Sequence, residues 1–127
     1  MAAPAARILV IEDNALLRAQ LQRLFADAGM AVEFASDGLA GLQMALDAPP
    51  DLILLDLHLP DLSGDDVLLR LRADDRTAEV PVLVVTADAS VEVRHRLELL
   101  GSDGFLTKPV EVSEVLSWFD SPHRQGH

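Results

Sequence analysis

The sequence predicts a doubly wound α/β domain: a five-stranded parallel sheet with helices on both faces. Three observations lead there. Short β-branched or leucine-rich runs alternate five times with longer segments of helical period, the pattern of consecutive βα units. Three of those runs, Ile8–Ile11, Leu52–Leu55 and Val82–Val85, are apolar at every position, as strands buried between two helix layers are. The chain has 127 residues, 50% hydrophobic and 24% charged, which suits one domain with a core and is too short for two.

The elements follow in order. An arm of small residues, 1–6, precedes the first strand, Ile8–Ile11. A helix is expected over Ala15–Ala28, where Leu17, Leu21, Leu24 and Ala28 keep one face apolar. Gly29 stands where a left-handed cap is wanted. The second strand is Ala31–Phe34, and Ser36 offers an N-cap for a helix over Gly38–Asp47. Leu52–Leu55 is the third strand, with Ser63 as N-cap for a helix over Asp65–Ala73. Val82–Val85 is the fourth, with Ser90 capping a helix over Val91–Leu100 that Gly101 closes. Gly104–Leu106 is the fifth. The last helix, Val112–Phe119, sets Val112, Val115, Leu116 and Phe119 on its apolar side. Residues 121–127, SPHRQGH, read as a frayed tail, so the domain proper spans 7–120. No linker, low-complexity stretch or internal repeat interrupts it.

Composition excludes several functions. No cysteine is present, so there is no disulfide scaffold, thiolate zinc site or cysteine nucleophile. The net charge is -11, from 21 acidic and 10 basic residues. Such a chain repels phosphate backbones and anionic membranes, so no direct nucleic-acid or membrane binding is expected. The opening MAAPAAR lacks a signal-peptide pattern, and the apolar runs are strand length. The expected location is the cytoplasm.

Right-handed crossovers would bring every strand's carboxyl end to one edge of the sheet, where ligand chemistry gathers in this fold class. Glu12 and Asp13 follow the first strand, Asp56 the third, Thr86 the fourth and Lys108 the fifth; nine of the ten basic residues are Arg, and Lys108 is the only Lys. Three carboxylates crowded together repel one another unless a cation intervenes. Magnesium, a hard ion that takes oxygen ligands and keeps several waters, suits Glu12, Asp13 and Asp56. An Asp carboxylate can act as nucleophile toward phosphorus, giving an acyl phosphate. Asp56, at the end of an apolar strand, is the best placed to do so. Thr86 could donate to one phosphoryl oxygen and Lys108 could pair with another as a flexible point charge. Each residue alone also has an ordinary role open to it: Asp13 as a helix cap, Asp56 as a turn former before Pro60, Thr86 as a strand-end residue, Lys108 as a solvated charge.

Four segments together, ILVIEDN at 8–14, LILLDLHLPDLSG at 52–64, VPVLVVTAD at 80–88 and GSDGFLTKPV at 101–110, resemble the receiver domains of bacterial two-component response regulators, the CheY-like family. The resemblance covers Arg7 to about Phe119. It implies a strand order of 2-1-3-4-5. It implies Asp56 as phosphoacceptor and Glu12, Asp13, Asp56 and the backbone carbonyl of His58 as magnesium ligands. Thr86 and Phe105 would be the switch pair and Lys108 the phosphate-pairing lysine, with Lys108–Pro109 similar to a bond that the family holds in cis. His58 and Asp88 occupy positions that tune how fast water removes the phosphoryl group, and Ala87 is small where the site must stay accessible. Leu16 lies on the outer side of the first helix, where it either meets a phosphodonor or flanks the core.

The implied activity is signalling, not turnover of a substrate. The chain would take a phosphoryl group from a sensor histidine kinase or a histidine phosphotransfer protein. It would catalyse only its own phosphorylation and dephosphorylation, and change a face of helix 4, strand 5 and helix 5 that a target protein reads. A monomeric, stand-alone regulator is the expected form, with a receiver excised from a hybrid histidine kinase as the alternative. Departures from the family pattern are Glu12 for Asp, Phe105 for Tyr and Val110 for Phe. No Arg or Lys lies in 112–119, which speaks against the charge-paired dimer face of receivers attached to winged-helix DNA-binding domains. Glu12 and Phe105 leave room for a non-phosphorylated pseudo-receiver. A haloacid-dehalogenase-type phosphatase would want Asp at His58, and a flavodoxin would want a hydroxyl- and glycine-rich loop where EDNALL stands.

Overall fold

The computed structural model describes residues 6–88 and 90–120. Ten elements alternate: β1 (Arg7–Ile11), α1 (Ala15–Asp27), β2 (Ala31–Ala35), α2 (Gly38–Asp47), β3 (Leu52–Asp56), α3 (Gly64–Ala73), β4 (Val82–Thr86), α4 (Val91–Leu100), β5 (Gly104–Thr107) and α5 (Val112–Asp120). The strands are all parallel, in the order β2-β1-β3-β4-β5. The expected arm and tail fall, apart from Ala6, outside the described residues.

Strand alternation divides the core. Leu9, Ile11, Ile53, Leu55, Val82 and Val84 pack under α2, α3 and α4, with Leu42, Ala45, Val67, Leu68, Leu71 and Leu97. The intervening Ile8, Val10, Leu52, Leu54, Leu83 and Val85 face the opposite way, against Leu21 and Phe25 of α1 and Val115 and Trp118 of α5. β3 and β4 are buried at all positions, whereas the edge strands β2 and β5 are partly exposed. A strand covered on both faces has no use for polar side chains, which is why its sequence runs unbroken.

Local signals explain the helix ends, with corrections. Ser63 and Ser90 accept the amides of Asp66 and Val93 as N-caps. α2 is capped by Asp37, which accepts the Ala40 amide, not by Ser36. α1 is capped by Asn14, so the helix-cap role open to Asp13 is not the one it takes. Gly29 (φ +75°) and Gly101 (φ +105°) adopt the left-handed conformation just past α1 and α4. On α1 the inward residues are Leu21 and Phe25, while Leu24 is exposed. On α5 they are Val115 and Trp118, and Leu116 turns outward. In both helices the large ring, four residues after Leu21 and three after Val115, claims the inward position.

Candidate functional site

β1 and β3 are neighbours; the chain leaves β1 toward β2 on one side and leaves β3 toward β4 on the other. This is the switch point of the strand order, and the residues leaving both strands meet outside it. In register, Ile11 pairs with Leu55, so Glu12 and Asp56 emerge side by side. Carboxylate oxygens of Glu12, Asp13 and Asp56 all lie within 4.8 Å of one another. Glu12 and Asp56 are each 3% exposed, and Asp13 is open to solvent.

Lys108, one residue past β5, reaches back over the sheet edge. Its Nζ lies 3.3 Å from Glu12 Oε1 and 3.3 Å from Asp56 Oδ1. Asp56 Oδ1 is buried and makes no well-aligned hydrogen bond, so the ammonium faces it as a charge more than as a donor. Burial raises the pKa of Glu12 above the ordinary 4.5; the Asn14 amide, which donates to its Oε2 at 3.1 Å, pulls it back, and the Asp56 charge raises it further. Burial also opposes the charge on Lys108, but Asp56 and Glu12 outweigh it, and its pKa stands above 10.5. One ammonium therefore serves two buried carboxylates, with Asp13 close by. That excess of negative oxygen, one of its atoms buried without a hydrogen bond, fits a hard divalent cation.

The other predicted residues fall around this cluster. Thr86 ends β4, 2% exposed; its Oγ1 accepts the Asp88 amide at 3.0 Å, a bond that does not consume its own O–H. Lys108 N donates to Thr86 O at 3.0 Å, linking the two loops, and the Lys108–Pro109 peptide is cis. Asp88 is exposed; it accepts the Ser90 amide at 2.9 Å, which holds its carboxyl below the usual range. Ala87 and His58 are exposed, and His58 forms an antiparallel bridge with Ser63 across the β3–α3 loop. Phe105 is half-buried and packs on the core under α4; the Arg94 guanidinium lies 5.5 Å from its ring centre. Leu16 is 70% exposed, so of its two possible roles the core flank is excluded. It lines an apolar groove with Leu17, Gln20, Leu24, Pro109 and Val110.

Three contributors escape a reading of the sequence. Arg18 Nη1 donates to the Glu12 carbonyl at 2.8 Å, pinning the loop that carries the acidic pair. Gly64 donates to Leu57 O at 3.0 Å, and a Cβ there would meet Leu57 Cα at 2.8 Å and Asp56 O at 3.0 Å. Asp61 bridges this loop to α2. All three act through backbone atoms of residues distant in the chain, which no motif announces.

Residues 8–119 match the family described as the response regulator receiver domain. Among curated relatives, the chain is 40% identical over 111 residues to the DNA-binding dual master transcriptional regulator RpaA of Synechocystis sp., covering 87% of this chain and 46% of that protein. It is 33% identical over 120 residues to the transcriptional regulatory protein CusR of Escherichia coli, covering 94% and 52%. The chain thus spans about half the length of the curated relatives it matches. Among solved structures, the Vibrio cholerae chemotaxis protein CheY4 superposes with a TM-score of 0.85 at 27% identity, covering 92% of this chain and 98% of that one. The receiver domain of the sensor histidine kinase PA1611 from Pseudomonas aeruginosa, solved with a magnesium ion coordinated in its active site cleft, superposes at 0.83 with 26% identity, covering 92% and 96%.

Proposed function

This chain belongs to the family of response regulator receiver domains, signalling modules that work with histidine kinases, and on that premise we propose that Asp56 accepts a phosphoryl group from a phosphohistidine. The observation that carries the reading is Asp56 itself: a buried carboxylate at the end of β3, its Oδ1 without a hydrogen bond, set between an acidic pair and a lone ammonium.

The chemistry follows from the placement. A carboxylate oxygen of Asp56 attacks phosphorus, the P–N bond of the donor breaks, and its electron pair returns to the imidazole, which takes up a proton. The product is an acyl phosphate on Asp56. Lys108 moves its charge from Asp56 Oδ1 to a phosphoryl oxygen, and the Thr86 hydroxyl donates to another. Glu12, Asp13, Asp56 and the backbone carbonyl of His58 are the groups to hold magnesium, which when bound neutralises the oxygens of the transferring group. His58 and Asp88, both exposed at the rim, set how water approaches the acyl phosphate and hence its lifetime. Thr86 and Lys108, drawn toward the new charge, alter the environment of Phe105, and a target protein reads the α4–β5–α5 face as a population shift. No Arg or Lys stands in α5, which favours a target protein over a charge-paired second receiver on this face.

The test is intact-protein mass after incubation with acetyl phosphate, with and without magnesium, beside Asp56→Asn. One phosphoryl adduct that requires magnesium and vanishes in the variant is expected. If acetyl phosphate and a phosphohistidine donor both leave the mass unchanged, the chain is a binding module that works unmodified.

A further inference from the structure

The loop from Leu57 to Ser63 joins the phosphoacceptor strand to α3, and it is closed at its base. Leu57 O accepts the Gly64 amide, and His58 pairs with Ser63. Its far end carries Asp61. Asp61 Oδ1 accepts the amides of Gly38 at 2.7 Å and of its own neighbour Leu62 at 2.8 Å; Oδ2 accepts the Leu39 amide at 2.9 Å. Gly38 and Leu39 open α2, whose own cap, Asp37, already serves Ala40 at 2.7 Å. A second acid is therefore not needed to start the helix, although the first turn has amides to spare. What the second acid does is join α2 to the loop. The contact is close: a Cβ on Gly38 would stand 3.1 Å from Leu62 Cβ and 3.2 Å from Asp61 Oδ1. The Leu39, Gly38 and Leu62 amides hold the Asp61 carboxyl below the usual range, so it stays ionised and acceptor-only at neutral pH.

We propose that Asp61 is a positioning residue for the metal site: its carboxylate fastens the β3–α3 loop to the N-terminus of α2 and thereby holds His58 and the exit of Asp56 in place for magnesium. The inference rests on the phosphoacceptor reading above. Residues that orient ligands from one shell out tune metal affinity strongly, and here two hydrogen bonds accepted by one exposed side chain from α2 supply that restraint without touching the ion.

The experiment is calorimetric titration of magnesium into wild type, Asp61→Ala, Asp61→Asn and Asp37→Ala, each checked for fold by circular dichroism. Asp61→Ala is expected to weaken magnesium binding by about tenfold, the lower end for such outer residues. Asp61→Asn keeps one acceptor oxygen and turns a donor toward the other amide, so an intermediate loss is expected; it also serves if the alanine variant does not fold. Asp37→Ala removes a cap from the same helix and should leave magnesium affinity unchanged. Equal affinity in wild type and Asp61→Ala would overturn the inference and leave the phosphoacceptor reading standing. So would an equal loss in Asp37→Ala, which would make the effect one of helix stability. No binding by wild type would remove the metal site itself, and this inference with it.

Discussion

Glu12 keeps a carboxylate where water scarcely reaches, beside Asp56, with Lys108 as the ammonium they share. Because burial lifts the Glu12 pKa above 4.5, the folded chain binds that proton more tightly than the unfolded chain does. Stability therefore falls as pH rises from about 4.5 through the raised value, and the loss is complete above it. In metal-free buffer Glu12→Gln, neutral throughout, should be more stable than wild type at about pH 7, and the difference should shrink toward about pH 4. Urea unfolding at the two pH values checks this. Lys108 follows the same sign in a higher window: its contribution is present below 10.5 and is lost as pH rises through its raised value. Magnesium at about a hundred times its dissociation constant should add about 2.7 kcal/mol to wild type, through preferential binding to the folded state, and less to Glu12→Gln. A variant stabilised equally by magnesium would remove Glu12 from the ligand set.

At the scale of elements, the site depends on how tightly each loop returns from its strand. The β1–α1 loop is held by Arg18 on the Glu12 carbonyl. The β3–α3 loop is held by Gly64 under Leu57 and by Asp61 on α2. Gly64 has no room for a side chain, since two backbone atoms, Leu57 Cα and Asp56 O, stand in the way together with Leu57 Cδ2. Gly64→Ala should cost about 1–3 kcal/mol, the usual range for overpacking, and should slow phosphorylation by acetyl phosphate because the displaced backbone is that of Asp56. Denaturant midpoints and adduct rates measured on the same protein would check both. Loss of stability with an unchanged rate would show that α3 moves instead of the strand end.

Across the whole molecule, the edge opposite the site is tied by Arg72. From α3 its guanidinium reaches the carbonyls of Gly101, Thr77, Ala78 and Val80 and the carboxylate of Asp103, which also accepts the Val82 amide. One side chain thus gathers the end of α3, the turn before β4, the cap of α4 and the start of β5. Carbonyls left without that donor would be poorly satisfied, so Arg72→Ala should cost about 2–4 kcal/mol. Arg72→Lys should recover only part, because an ammonium lacks the planar fork. Thermal unfolding of both variants measures it; full recovery by Lys would mean that charge alone matters. The net charge of -11 acts on the same scale, since its self-repulsion opposes the compact state.

Fold class, strand count and the residues leaving each strand were legible in the chain, because burial on both faces writes β1, β3 and β4 as unbroken apolar runs. The four resembling segments carried the strand order, which periodicity could not supply. Short-range choices were harder to read: Asp37 displaced Ser36 as a cap, and Phe25 and Trp118 displaced Leu24 and Leu116 from the core. Either neighbour satisfied the local pattern, and the decision belonged to the surface each helix packs on. The supports of the site, Arg18, Asp61 and Gly64, were decided by the tertiary structure alone. Their partners are backbone atoms six, twenty-three and seven residues away, and backbone atoms carry no sequence signature. Nor could any one-dimensional pattern set one ammonium 3.3 Å from two buried carboxylates, because that distance arises only when the first, third and fifth strands are laid into one sheet.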